Sequence, residues 1–168
     1  MRRLKYAFMM VVGSAAFRVD LLVKLMQYLR KRGHRRLAKL CSMRLEHYGN
    51  YISNNAIIGS GLNLPHPTSI VIGDGVVIGD NVKIYQSVTL GGRIVGDWKK
   101  RNYPTISDNV VIFSGAVVVG KVTIGRNCVI GANSVVLIDI PDNATAIGVP
   151  ARIRYNRFIS KSETTKND

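Results

Sequence analysis

The sequence predicts a mainly β solenoid, a triangular coil of short strands and turns with a helical segment in front of it. Aliphatic residues recur at every sixth position, at Ile52, Ile58 and Leu64, then Ile72, Ile78, Ile84 and Leu90, then Ile106, Ile112, Val118, Ile124, Ile130 and Val136. That period is neither the 2 of an ordinary strand nor the 3.6 of a helix, and a fixed short period builds a stack of like units. Glycine follows the aliphatic residue at Gly59, Gly73, Gly79, Gly91, Gly125 and Gly131, where a tight corner needs a backbone free of Cβ strain. The first 50 residues show neither feature; rich in Leu, Met, Arg and Lys with few turn residues, they read as two or three helices.

In chain order, residues 1–50 form a basic amphipathic helical segment. An apolar run from Tyr6 to Phe17 follows Arg2, Arg3 and Lys5 and is too short to span a bilayer. From Leu21 to Leu45, apolar residues at Leu22, Met26, Leu29, Leu37, Leu40, Cys41 and Leu45 alternate with Lys24, Arg30, Lys31, Arg35, Arg36, Lys39 and Arg44, interrupted at Gly33. Two readings stay open for this pattern. One is a cap that packs its apolar stripe on the first coil; the other is peripheral contact of residues 1–45 with an anionic inner leaflet, where each Lys or Arg adds about 1 kcal/mol. Nucleic-acid binding is excluded as a reading because no recognition module accompanies the charge.

Residues 51–153 form the coil, three hexads closing a turn of roughly 18 residues with the aliphatic side chains stacked inward. The period breaks twice. Between Leu64 and Ile72 the spacing is eight, and between Leu90 and Ile106 it is sixteen, so a loop over 91–105 leaves the coil carrying Arg93, Trp98, Lys99, Lys100, Arg101 and Tyr103. Loops standing off a rigid scaffold are where binding and chemistry concentrate. The one histidine of the repeat region, His66, sits in the first break. Residues 154–168 form a polar tail.

The net charge of +14 belongs to the ends. Residues 1–50 hold 12 Lys+Arg against 2 Asp+Glu, residues 51–150 hold 7 against 6, and residues 151–168 hold 5 against 2. Cys41 and Cys128 have no framework spacing and read as reduced thiols of a cytoplasmic protein.

The stretch LNLPHPTSIVIGDGVVIGDNVKIYQSVTLGG at 62–92, with IGANSVVL at 130–137 and AIGVPARI at 146–153, resembles the hexapeptide-repeat acyltransferases, and within them serine acetyltransferase and the closely similar sugar O-acetyltransferases. The resemblance covers about 100 residues, from Ile52 to Ile153. It implies a left-handed parallel β-helix, acetyl transfer from acetyl-CoA without a metal, and a homotrimer with sites between neighbouring β-helices. By position His66 matches the family's catalytic histidine. The chemistry suits it, since an alcohol needs a positioned base to attack a thioester and an imidazole titrates near neutrality. Pro65 and Pro67 restrict the backbone on both sides of it.

Developing charge on the thioester oxygen needs donors, and the Gly91 and Gly92 amides at a glycine-rich corner are the candidates. The resemblance places a pantetheine groove along Ser114, Gly115, Ala116, Ala132 and Asn133, and an arginine fork at Arg152 suits the nucleotide phosphates. A cytosolic thioester donor also argues against reading Ser14, Ala15 and Ala16 as a secretory cleavage site. The implied location is the cytoplasm, with peripheral contact at the inner membrane face.

The acceptor is read from departures. Serine acetyltransferases place an aspartate fifteen residues before the histidine to orient it, and this chain has Tyr51 there. The aspartate preceding the histidine is Pro65, and the Arg-His pair before the loop proline is Asn102-Tyr103 before Pro104. Tyr51 and Glu46 are the groups left to orient the imidazole. A neutral acceptor recognised by Trp98, Asn102, Tyr103 and Tyr51 suits these residues better than a free amino acid, which favours a sugar hydroxyl in surface-polysaccharide synthesis over serine. Two other classes compete. A metal enzyme on this fold needs three histidine ligands and the repeat holds only His66; a non-catalytic scaffold has no reason to keep a thioester groove, so saturable coenzyme A binding separates it.

Overall fold

The computed structural model describes residues 14–155. The apolar run before Ser14, with Arg2, Arg3 and Lys5, and the tail after Tyr155 lie outside them. Ser14 caps the first helix, its hydroxyl accepting from the Phe17 amide at 3.3 Å, so the residues read as a weak cleavage pattern open a helix. Helix α1 (Ala15–Lys31) and helix α2 (Arg35–His47) are joined at Gly33, whose φ of 81° reverses the chain.

The two helices cap the coil. They bury Val19, Leu22, Val23 and Met26 from α1 and Ala38, Cys41 and Leu45 from α2. Polar groups tie them down: the Ser42 hydroxyl donates to the Ile52 carbonyl at 2.7 Å and the Gln27 amide to the Ala56 carbonyl at 3.4 Å. The cap reading of the amphipathic pattern therefore describes one face of the helices. Leu37, Leu40 and Met43 lie on the other face of α2, 49%, 59% and 55% exposed, beside Arg36, Lys39 and Arg44. No helix among the described residues is long and apolar enough to cross a membrane.

The body is a left-handed parallel β-helix. Its strands are β1 (Tyr51–Ile52), β2 (Ile57–Ile58), β3 (Val71–Ile72), β4 (Val77–Ile78), β5 (Lys83–Ile84), β6 (Thr89–Gly91), β7 (Thr105–Ile106), β8 (Val111–Ile112), β9 (Val117–Val119), β10 (Thr123–Ile124), β11 (Val129–Ile130) and β12 (Val135–Val136). Three ladders make three faces: β1-β3-β6-β9-β12, then β2-β4-β7-β10, then β5-β8-β11, which continues into the antiparallel pair β13 (Ala144–Ile147) and β14 (Arg152–Tyr155). We call these faces A, B and C. The last strand passes two residues beyond the boundary expected at Ile153.

Register reproduces the hexad count. Ile52 pairs with Ile72, Ile72 with Leu90, Leu90 with Val118 and Val118 with Val136, so both interruptions leave the ladder in phase. All but the hexad ending at Leu64 bury two side chains rather than one. Besides the sixth-position residues, the residue two before each points inward, as at Ile70, Val76, Val82, Val88, Val110 and Val122, with Cys128 and Ser134 in the same role. Leu64, counted as inward, is only half-buried because the chain leaves the coil there. Both cysteines are free and buried, and burial pushes their thiols up, so they are poor nucleophiles.

The repeat glycines have a different reason from the one expected. Gly59, Gly79 and Gly125 do not occupy left-handed backbone; that conformation falls two residues later, at Gly61, Asn81 and Asn127. The glycines are small because coils touch there: a Cβ on Gly79 would stand 2.3 Å from the Asp108 carboxylate, and one on Gly125 would stand 2.4 Å from that of Asp142. Those carboxylates accept the Asp80 amide at 2.8 Å and the Arg126 amide at 2.7 Å, stitching successive coils at the corner between faces B and C.

Candidate active site

His66 stands at the corner between faces C and A, in the segment that leaves the coil after Leu64. Asn50, only 1% exposed, holds that segment from below. Its side-chain amide donates to the Pro67 carbonyl at 2.8 Å and its carbonyl accepts the Ile70 amide at 3.1 Å, while the Ser69 amide donates to the Gly49 carbonyl at 2.9 Å. The backbone is thus fixed on the C-terminal side of His66 and the imidazole is left exposed. Its ring faces Tyr85, with centroids 6.3 Å apart and planes at 49°, and Tyr85 stacks on Phe113 at 5.1 Å and 15°. Next to Tyr85, Gln86 buries an amide oxygen with no hydrogen-bond partner among the described residues, which costs about 1–3 kcal/mol unless an outside donor meets it.

The same corner carries most of the expected groove. Gly115 (φ 70°) and Asn133 (φ 54°) turn successive coils there, with the Asn133 amide donating to the Ser114 carbonyl at 2.9 Å and the Gly115 amide to the Gln86 carbonyl at 3.0 Å. A Cβ on Gly115 would stand 2.1 Å from the Asn133 side-chain oxygen, so close stacking of corners requires glycine. Ala132 is exposed beside them. Ala116 is not a groove residue: at 0% exposure its methyl packs inside the coil. Arg152 is exposed on the β14 hairpin at the end of face C.

The loop leaves a different corner, between faces A and B. Within it, helix α3 (Asp97–Lys100) begins at Asp97, which the sequence reading passed over. The residue is 3% exposed and its carboxylate accepts the Arg93 amide at 2.7 Å, the Ile94 amide at 2.9 Å and the Asn102 side-chain amide at 2.9 Å. The Asn102 amide nitrogen is therefore spent inside the loop, and Gly92 abuts this anchor, a Cβ there lying 2.9 Å from that of Asp97. Gly91 ends β6, its carbonyl accepting the Gly120 amide at 3.0 Å. Tyr103 lies on the second coil, where a Cβ on Gly75 would come within 2.2 Å of its ring. A visible signal for Asp97 existed: it is the sole acid between Gly91 and Thr105.

Hydrogen bonds from the Asn102 side chain first, then from the Ile94 and Arg93 amides, hold the Asp97 carboxyl below the usual carboxylate range. A depressed folded-state pKa stabilises the loop fully above the ordinary aspartate value of about 3.9, and that stabilisation is lost as pH falls through the lower folded value. The Arg93 and Ile94 amides are accordingly expected to keep constant protection from pH 8 to about pH 5 and to lose it in stronger acid. Asp97→Ala is expected to remove their protection at pH 7 while the coil amides stay protected. Amide exchange read by NMR checks this, and unchanged protection of Arg93 and Ile94 in the variant refutes it.

His66 and the loop residues therefore occupy separate corners with face A between them. Tyr51, on the outside of face A, sits toward the loop: burial first, then the negative charges of Asp74 and Glu46, raises its phenol. Glu46 lines a surface cavity of about 330 Å³ with Gly49, Tyr51 and Ser69, which His66 does not enter. Neither group touches the imidazole, which makes no side-chain hydrogen bond among the described residues; the ring it meets is Tyr85. Among the described residues no three His, Cys, Asp or Glu gather to hold a metal ion.

Comparison with known proteins agrees with the repeat. Residues 103–137 match the bacterial transferase hexapeptide family of six repeats. The chain is 44% identical over 134 residues to a serine acetyltransferase of Staphylococcus xylosus, covering 78% of this chain and 61% of that protein. Among solved structures it resembles Brucella abortus serine acetyltransferase in complex with coenzyme A, with a TM-score of 0.75, 35% identity, and coverage of 84% of this chain and 56% of that one. Soybean serine acetyltransferase complexed with serine gives a TM-score of 0.74 at 36% identity, covering 87% and 60%. The chain spans about half the length of the relatives it matches. None of these names carries a sugar acceptor; the acceptor they carry is serine.

Proposed function

We propose that this chain, which carries the bacterial transferase hexapeptide repeat, is an O-acetyltransferase using acetyl-CoA, with L-serine as its acceptor. The observation that carries the transferase reading is the shared corner: an exposed imidazole at His66 in line with the close-packed turns Ser114–Gly115 and Ala132–Asn133. His66 takes the acceptor hydroxyl proton, the alkoxide oxygen attacks the thioester carbonyl, and the carbon–sulfur bond breaks as the proton passes on to the departing thiolate. The serine reading draws on the names of the relatives. The family resemblance implies a homotrimer, and the separation of His66 and the loop on different corners supports a working unit in which the His66 corner of one protomer meets the loop of the next.

One observation favours a second acceptor class, a neutral sugar hydroxyl. Tyr51 replaces the expected acid, Pro65 precedes His66, and Asn102-Tyr103 precede Pro104, so the charged groups that would neutralise a free amino acid are absent from those positions. Thiol release from acetyl-CoA, measured with serine and with nucleotide sugars and oligosaccharides in turn, decides. Saturable release with serine alone supports the first reading; release only with glycans replaces it with the second.

The outward stripe Leu37, Leu40 and Met43, flanked by cations, supports peripheral docking on an anionic bilayer. Flotation with vesicles containing phosphatidylglycerol, and not with phosphatidylcholine alone, is expected. Equal flotation with both kinds, or none, removes this part of the proposal.

A further inference from the structure

The structure assigns a small-molecule site, for a sugar phosphate, in a cavity of about 590 Å³ between the helical cap, the first two coils and the loop, which takes in Trp98 and Tyr103, two of the loop residues expected to meet the acceptor. Its volume lies in the range of small-ligand sites. Three arginines from separate parts of the chain line it: Arg30 from the end of α1, Arg35 from the start of α2 and Arg101 from the loop. Among the described residues none of the three forms an ion pair. Arg30 is held in place by one donated bond, to the Asn55 carbonyl at 3.2 Å, which leaves most of its donors free. Arginine forks of this kind match phosphate oxygens, and several cations lining one cavity without ion-pair partners leave a field that a dianion would satisfy.

The remaining walls suit a sugar ring. Trp98 presents an indole that is 64% exposed, with the Lys99 ammonium 5.3 Å from its ring centre, and Tyr103 forms the wall against Gly75. An exposed aromatic face is a platform for the apolar face of a ring. Asp74 also lines the cavity, with one carboxylate oxygen accepting the Ser53 hydroxyl and the other left as an acceptor for a ligand hydroxyl. A phosphate toward the arginines and hydroxyls toward Asp74 satisfy both signs of charge in one molecule.

Trp98 is the only tryptophan in the chain, so its emission reports this cavity alone. Titration of the full chain with glucose 1-phosphate is expected to give a saturable change in emission, matched by calorimetry; inorganic phosphate is expected to bind more weakly and glucose not at all. Arg35→Gln and Arg101→Gln, both at exposed positions that leave the fold intact, are each expected to weaken binding about tenfold or more, as loss of a charge-assisted contact does. Arg126→Gln, at a distant corner, is expected to leave it unchanged. Absence of saturation, equal binding by the Arg35 and Arg101 variants, or displacement of the sugar phosphate by coenzyme A would each overturn the assignment. Acetyl transfer enters none of these readouts, so the site stands or falls separately from the proposed activity.

Discussion

Replacing His66 with alanine is expected to lower turnover about 100- to 10,000-fold, the usual contribution of a positioned general base. The magnitude follows from what the ring does and does not do in the fold. It is exposed, makes no side-chain hydrogen bond among the described residues, and has the Tyr85 ring as its aromatic neighbour, so its removal leaves the corner standing. The backbone of the segment is held by Asn50 and by Ser69 rather than by the imidazole. Coenzyme A affinity and the unfolding midpoint are therefore expected to stay near those of the parent, and the loss to fall on kcat. Steady-state rates with saturating acetyl-CoA, beside calorimetric binding of coenzyme A, provide the check. A variant with near-parental kcat would remove His66 as the base, and a variant that lost coenzyme A binding in proportion would make it a groove residue. Tyr85→Leu gives a finer test: if the aromatic ladder positions the imidazole, kcat falls and its pH profile shifts, whereas a ring that only fills space changes stability alone.

What the sequence disclosed and what it concealed divide along physical lines. Inward stacking imposes a period, and a period is visible, so the sixth-position residues from Ile52 to Val136 and both interruptions could be located from spacing. The proline-flanked His66 stood out for the same reason, as an exception to a rule. Contacts across coils carry no such mark. Tyr85 and Phe113 reach His66 through the stacking of corners a full coil or more apart, and the Asp108 and Asp142 carboxylates that forbid a Cβ on Gly79 and Gly125 come from the next coil up. Spacing led the glycines to be read as turn residues, when contact between coils is what keeps them small. The placement of His66 and the loop on different corners follows from counting which strand each interruption succeeds. His66 comes before β3 and the loop after β6, with face A between them. Arg30 and Arg35 were read as cap or membrane charges because nothing in the sequence ties a helix end to a loop some 65 residues later; only the docking of the cap brings them beside Arg101.

The second large effect is on stability. Ile78→Ala is expected to cost about 2–5 kcal/mol, the range for deleting a large aliphatic side chain in a core that cannot collapse around the gap. Ile78 is 1% exposed and pairs in register with Ile58 below and Ile106 above, so its side chain belongs to two interfaces at once. In a solenoid each coil contacts only its neighbours, and a cavity in the second coil loosens the stack on both sides of it. Relaxation is resisted because the coils on either side are held at fixed spacing by backbone ladders on all three faces. Ile138→Ala, at a side chain 51% exposed, removes the same atoms from a surface position and is expected to change stability by less than about 0.5 kcal/mol. Denaturant unfolding at one fixed protein concentration compares the two, since any association of protomers makes the midpoint depend on concentration. A loss below about 1 kcal/mol for Ile78→Ala would mean that the coil interior repacks freely. The rigid prism that sets the His66 corner and the loop at a fixed separation would then lose its physical basis.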